Sequence, residues 1–203
     1  MLDATLRPVK DKVLSPLART PMGRLHPIAI SAVGLAFTLG AAVAASQRLV
    51  WVAVTLWLLG RVADGVDGLA ARATGRASDV GGLLDFVIDT IGYASVPLGL
   101  AVGIDTRTGW VVTALLLASF YVNAVSLGHV AALLEKRGRG AEQRGEPTSA
   151  TMPRGLVEGT ETIVFFSLAL TFVDAAPVIW SVMAALVMIT ALERVRWAAG
   201  ELS

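Results

Sequence analysis

The sequence predicts an all-α, polytopic membrane protein with six transmembrane helices and an N-terminal amphipathic interfacial helix. Three observations predict it. Of 203 residues, 55% are hydrophobic and only 16% are charged, whereas soluble domains carry about 25% charged residues, and the mean hydropathy is +0.67. The apolar residues gather into six stretches near the ~20 residues that cross a bilayer. The basic residues fall on alternate sides of those stretches. Disorder is excluded, because it needs low hydrophobicity with high net charge, and the net charge is +1.

Residues 1–24 form a juxtamembrane segment. Leu2, Leu6, Val9, Val13, Leu14 and Leu17 recur near helical spacing and are interrupted by Pro8 and Pro16, the pattern of a helix lying in the interface. Residues 25–203 make up the membrane domain, with spans at 27–45, 49–66, 80–103, 110–133, 156–174 and 177–195. Connections are short except the one at 135–155. Every Lys and Arg except Arg48 and Arg107 lies before the first span, around the second or fourth connection, or after the sixth span. The positive-inside rule then places both termini on the cytoplasmic side of the cell membrane. The five tryptophans read as interfacial anchors or packing groups.

There is no cysteine and there are only two histidines, His26 and His129. Thiolate sites, a histidine-rich zinc site and a histidine triad are therefore disfavoured, and the near-zero net charge argues against nucleic acid as a partner. Any chemistry falls to carboxylates. Four of them, Asp64, Asp67, Asp85 and Asp89, lie within 26 residues at the same ends of two consecutive spans, where ionisable groups cost about 2.5–3.5 kcal/mol each. Asp64 and Asp67 share one helix face, and Asp85 and Asp89 share another. A tight turn between the helices brings the faces together. Four converging carboxylates repel one another, and two divalent cations would cancel them. An all-oxygen donor set favours magnesium, manganese or calcium.

The small residues on these faces matter as well. Gly68 and Ala71 share the face of Asp64 and Asp67, and Gly81 lies one turn before Asp85, which leaves room for a flat ligand against the backbone. Arg72 adds a fixed positive charge of the kind that phosphate handling needs. The plainer account makes the acids helix caps, the glycines packing residues and Arg72 a positive-inside residue. It requires the whole constellation to be incidental.

The segment D-x2-D-G-x2-A-R-x8-G-x3-D-x3-D, filled by Asp64, Asp67, Gly68, Ala71, Arg72, Gly81, Asp85 and Asp89, resembles the signature of the CDP-alcohol phosphotransferases, which are transferases of phospholipid biosynthesis. The resemblance implies two bound divalent cations, magnesium or manganese, held by the four aspartates, with Asp89 also the general base. It implies cytidine-nucleotide contacts from Gly68, Ala71, Arg72 and Gly81, with Asp64 and Asp85 beside the nucleotide. Ser78, six residues after Arg72, occupies a nucleotide-contact position of the phosphatidylinositol-phosphate-synthase branch. Pro27, Ile28, Ala29 and Ile30 resemble that branch's first-span pattern, with Ile28 replacing the usual polar residue.

The implied reaction moves a phosphatidyl-type group from a CDP-linked lipid such as CDP-diacylglycerol to a small alcohol, with release of CMP, in a homodimer surrounded by membrane lipid. Lys136, Arg137, Arg154 and Glu158 are candidate acceptor contacts; as alternatives, the basic residues contact anionic lipid, and Glu158 and Glu161 pair with arginines. A competing class, a divalent-cation carrier or channel built on the intramembrane aspartates, would need polar groups continuing to the outer face.

Overall fold

The structure, a computed structural model, describes residues 26–145 and 155–202 together with Pro16. The rest of the predicted amphipathic segment, and Arg154, lie outside the described residues. Among the described residues there are six helices of thirteen residues or more and no strand: α1 (Pro27–Ser46), α2 (Val50–Ala73), α3 (Asp79–Ile104), α4 (Arg107–Lys136), α5 (Gly159–Thr171) and α6 (Ala176–Leu202). A single helical turn lies at Ala141–Arg144, and a 3-10 turn at Val173–Ala175 precedes α6.

The helices match the six predicted spans in order, with different ends. α2 continues to Ala73 and α6 to Leu202, because hydropathy falls where charged residues begin while the backbone ladder goes on. α5 starts only at Gly159, where Glu158 and Glu161 form a reciprocal capping box. By length and apolarity α1, α3, α4 and the segment Val173–Leu202 suffice to cross a membrane. α2 falls short because its second half carries Arg61, Asp64, Asp67 and Arg72. Thirteen residues give α5 a length of ~20 Å, against a hydrocarbon core of about 30 Å.

α1 is the packing centre of the half that holds the acids, lying against both α2 and α3, while α4 pairs with α6 and α5 bridges α2 to α6. The close approach rests on small residues, which drive helix association where lipid removes the hydrophobic incentive. Fully buried Thr38 of α1 sits at the junction: a Cβ on Gly60 of α2 would lie 2.5 Å from its Oγ1, and one on Gly92 of α3 would lie 3.0 Å from its Cγ2. Gly99 approaches α1 more closely still. A Cβ there would overlap the Ala42 carbonyl oxygen and stand 2.9 Å from the Ala42 Cα. Because the obstacle is backbone, Gly99→Ala is expected to force α1 and α3 apart and cost about 1–3 kcal/mol or more. This is read as a lower melting temperature in detergent; an unchanged melt would contradict it.

Above this junction, aromatic rings tie the helices together. Phe166 of α5 stacks on Trp57 of α2 with centroids 4.7 Å apart and meets Trp180 of α6 edge-on at 5.0 Å. Tyr93 of α3 approaches Phe166 at 5.8 Å. Trp57 and Trp180 thus serve the core, while Trp51 is 74% exposed.

Arginines also fix which helix ends lie together. Arg48, between α1 and α2, donates from Nε to the Gly103 carbonyl near the end of α3 at 2.7 Å. Arg137 donates to the Leu202 carbonyl, and Arg139 to that of Glu201 at 2.7 Å, so the last turns of α4 and α6 adjoin. Both cases use guanidinium groups to satisfy carbonyls that a helix end leaves without partners. The two basic residues that the sequence set apart, Arg48 and Arg107, lie in the α1–α2 connection and at the start of α4.

Candidate active site

The turn that joins α2 to α3 is five residues long, Thr74 to Ser78. Gly75 takes a left-handed φ of +65°, and the Arg76 N–H donates to the Ala71 carbonyl at 2.9 Å. This Schellman closure is one that Gly makes without Cβ strain. Ser78 then caps α3 by accepting from the Gly81 N–H at 3.1 Å. The turn therefore folds the two acid-bearing helix faces back on each other, as the spacing predicts.

The result is an open cavity of about 480 Å³, walled by the first turn of α1, the last turns of α2 and the first turns of α3. Pro27, Ile28, Asp67, Gly68, Ala71, Arg72, Ser78, Gly81 and Asp85 line it, as the sequence reading expects. His26, Ser31, Arg76 and Asp79, which that reading did not assign, line it too. Asp64, Ala29 and Ile30 do not: Asp64 stands one turn further into α2 than Asp67, beside Arg61. Successive α-helical residues are rotated by about 100°, so Pro27, Ile28 and Ser31 share the cavity-facing arc. Ile30, 2% exposed, packs instead with Ala63, Val66 and Ala70 of α2, and the N–H groups of Ala29 and Ile30 are directed to the His26 carbonyl, at 2.8 and 3.4 Å.

Asp67 and Asp85, which line the cavity, meet Asp64 behind it: one carboxylate oxygen from each of the three lies within 4.8 Å of the others. Asp67 is buried and accepts a hydrogen bond from Ser31 at 2.5 Å. The Ser31 hydroxyl is also 3.1 Å from the Pro27 carbonyl, which ties the first turn of α1 to the acids. Ser31 was legible as a residue four positions after Pro27, on the same face. Three clustered carboxylates with no nitrogen or sulfur donor fit a hard divalent cation such as magnesium or manganese. The Arg72 guanidinium folds back over Gly68, its Nη1 3.4 Å from where a Cβ on that glycine would stand.

Asp89 stands apart from this group. It lies one turn deeper on α3 and pairs with Arg61 of α2, Nη1 to Oδ1, at 2.7 Å. Arg61, which charge counting placed at a connection, is inside α2 and only 6% exposed. It also lies 3.8 Å from Asp64. Its signal in the sequence was the i,i+3 spacing to Asp64.

None of Lys136, Arg137 or Glu158 lines the cavity. Lys136 ends α4, and Arg137 serves the end of α6. Glu158 accepts from the Gly155 N–H at 2.9 Å in the turn before α5. Nearby, buried Arg194 of α6 donates to the Asn123 side chain at 2.7 Å and to Ser126 at 3.2 Å.

Fold and site define an all-helical integral membrane protein with clustered carboxylates at the shared ends of two helices. The model of the CDP-alcohol phosphatidyltransferase family matches residues 24–199, and the chain belongs to that family. It is 32% identical over 195 residues to archaetidylinositol phosphate synthase of Pyrococcus horikoshii, covering 94% of each chain. To inner membrane protein YnjF of Escherichia coli it is 32% identical over 183 residues, 85% of this chain and 82% of that one. The fold is similar to that of Mycobacterium tuberculosis phosphatidylinositol phosphate synthase PgsA1 with CDP-DAG bound, with TM-score 0.71, 17% identity and coverage of 94% and 93%. The same enzyme in complex with manganese and citrate gives TM-score 0.69 at 19% identity, with coverage of 93% and 88%.

Proposed function

We propose that the protein transfers a phosphatidyl-type group from CDP-diacylglycerol or a similar CDP-linked lipid to the hydroxyl of a polar alcohol, releasing CMP. The observation that carries this reading is the cavity in which Asp67 and Asp85 face Gly68, Ala71, Arg72 and Gly81 across one open space. In a member of the CDP-alcohol phosphatidyltransferase family, that arrangement suits a pyrophosphate beside a nucleotide.

Asp64, Asp67, Asp85 and Asp89 would hold two divalent cations, magnesium or manganese, with the first three forming the core of the set. When bound, the cations would supply Lewis-acid stabilisation of charge on the phosphoryl oxygens. Arg72 would hold the cytidine-side phosphate by charge-assisted hydrogen bonds, and Gly68, Ala71 and Gly81 would let the nucleotide lie against the backbone. Ser78 can donate its hydroxyl proton to the nucleotide while its oxygen caps α3. Asp89 would accept the proton of the attacking hydroxyl. The alcohol oxygen then bonds to the lipid-side phosphorus, and CMP departs with the bridging oxygen.

The membrane arrangement follows from the same reading. All six helices would cross the bilayer, α2 by keeping its charged groups on the protein interior and α5 with the turns at its two ends. The cavity would open to the cytoplasm, where CDP-linked lipids present their nucleotide, and two copies would form a homodimer. A conduction path is disfavoured by the Trp57, Phe166 and Trp180 cluster beyond the acids. Purified protein with CDP-diacylglycerol and manganese or magnesium is expected to release CMP only with a suitable acceptor. Inositol phosphate heads the screen because of the relative's name, followed by glycerol 3-phosphate, inositol and serine. Absence of metal-dependent CMP release with every acceptor would sink the reading.

A further inference from the structure

Arg61 is not accounted for by the acid signature, yet it is deeply built in. Trp57, Arg61 and Asp64 follow one another up one face of α2 at spacings of four and three, and Asp89 and Tyr93 answer them from α3. The guanidinium carbon stands 4.8 Å from the Trp57 ring centre and 5.4 Å from that of Tyr93, positions that favour a desolvated cation. Gly92 lies alongside, where a Cβ would stand at ordinary van der Waals distance, 3.9 Å, from Nη2. Nη1 bonds Asp89 at 2.7 Å and lies 3.4 Å from the Tyr93 hydroxyl. The Nε finds no hydrogen-bond partner among the described residues. A buried cation held this way is weak evidence of stabilisation, since apolar replacements often serve stability as well or better. A role in the chemistry explains the placement more directly.

We infer that Arg61 is a positioning residue for the transfer reaction: its guanidinium holds Asp89 one turn away from the three clustered carboxylates, so that Asp89 serves the cation set at its edge and is placed to receive the acceptor's proton. This rests on the reaction proposed above. The structural basis is that the same Nη1 that bonds Asp89 is within 3.8 Å of Asp64. Arg61 therefore places a positive charge at the inner edge of the cation group while anchoring Asp89 one turn deeper. Removing it has two opposite consequences. The acid cluster loses a neighbouring positive charge, and Asp89, released from its ion pair, is free to ligate fully, so the site binds a divalent cation more tightly. Turnover falls, because Asp89 is no longer held where the acceptor's proton arrives.

The test pairs manganese binding without lipid or acceptor, read from the electron paramagnetic resonance signal of free Mn2+, with CMP-release kinetics. R61M is expected to bind Mn2+ roughly tenfold more tightly than wild type. Its kcat should fall about 100-fold, with KM for CDP-diacylglycerol within about threefold, as expected when only transition-state positioning is lost. R61K keeps the charge without the planar fork. It should bind Mn2+ like wild type and recover part of kcat while staying about tenfold below it. R61M that binds Mn2+ no more tightly than wild type, or turns over at the wild-type rate, overturns the inference, because a packing role alone would lower the folded fraction and leave Mn2+ affinity unmoved. Should R61M not purify as a folded species, R61K decides: a wild-type kcat overturns the inference. Wild-type protein that releases no CMP with any acceptor removes the underlying reaction instead, and is recognised as that separate failure.

Discussion

Asp89→Asn is expected to reduce CMP release by about 10³-fold or more, within the range a positioned general base supplies, while the protein still purifies as a folded species. The amide cannot take the acceptor's proton, and at the same position it has nearly the volume of the carboxylate. Its effect on stability is set by Arg61, which loses the carboxylate at 2.7 Å but keeps Asp64 at 3.8 Å and the two aromatic rings. Breaking a fully buried pair costs about 3–5 kcal/mol. Asp89 is 27% exposed and Arg61 retains a second acid, so the loss is smaller and appears as a lowered melting temperature without aggregation. Two measurements on one preparation decide it, CMP quantified by chromatography and a thermal melt. Release within tenfold of wild type would remove Asp89 from the role of base.

How far the site was legible in the sequence depends on which physical rule each residue obeys. The turn was readable because the connection between the two acid-bearing spans is short, and the i,i+3 and i,i+4 spacings of the acids fixed their faces without reference to the rest of the chain. Spacing gives a face but not a depth. α2 and α3 run in opposite directions from a five-residue turn, so Asp67 and Asp85 meet in the cavity, and Asp89, a turn of about 5.4 Å further on, comes level with Arg61. Arg61 itself was misplaced because counting basic residues assigns each one to a side of the membrane, and a guanidinium caged by Trp57 and Tyr93 is invisible to that count. Ala29 and Ile30 were included as part of a contiguous motif, whereas helix rotation turns them away from Pro27, Ile28 and Ser31.

The helices were legible for a different reason. Six apolar stretches and the alternation of Lys and Arg suffice to order them, but the contacts that hold them are set by pairs distant in sequence. Gly60 and Gly92 converge on Thr38, and Gly99 on Ala42, with no local pattern that names the partner. The same holds for Phe166, whose rings of contact come from α2, α3, α4 and α6. The acids are thus mounted on two helices that small residues press against α1, and a rigid support of this kind is what a multi-carboxylate site needs to keep its geometry.

Asp67→Asn is expected to separate the chemistry from the fold with effects of opposite sign. Asp67 is 6% exposed, and its Oδ2 accepts the Ser31 hydroxyl, a bond that an amide oxygen can accept as well. The amide nitrogen of the variant would face the carboxylates of Asp64 and Asp85, whose oxygens lie within 4.8 Å, and would donate where a third negative charge now repels. In EDTA the variant should therefore melt at or above the wild-type temperature. With a saturating divalent cation the order reverses. Wild-type protein gains RT ln(1 + [L]/Kd), about 2.7 kcal/mol at a hundredfold excess over Kd, and the variant, short of a charged oxygen ligand, gains little. CMP release should fall by about 10³-fold or more, since a cation is worth several kcal/mol of transition-state stabilisation. A variant that melts well below wild type in EDTA would make Asp67 a structural acid. One that keeps the full manganese-dependent shift would remove it from the cation group, whatever its activity.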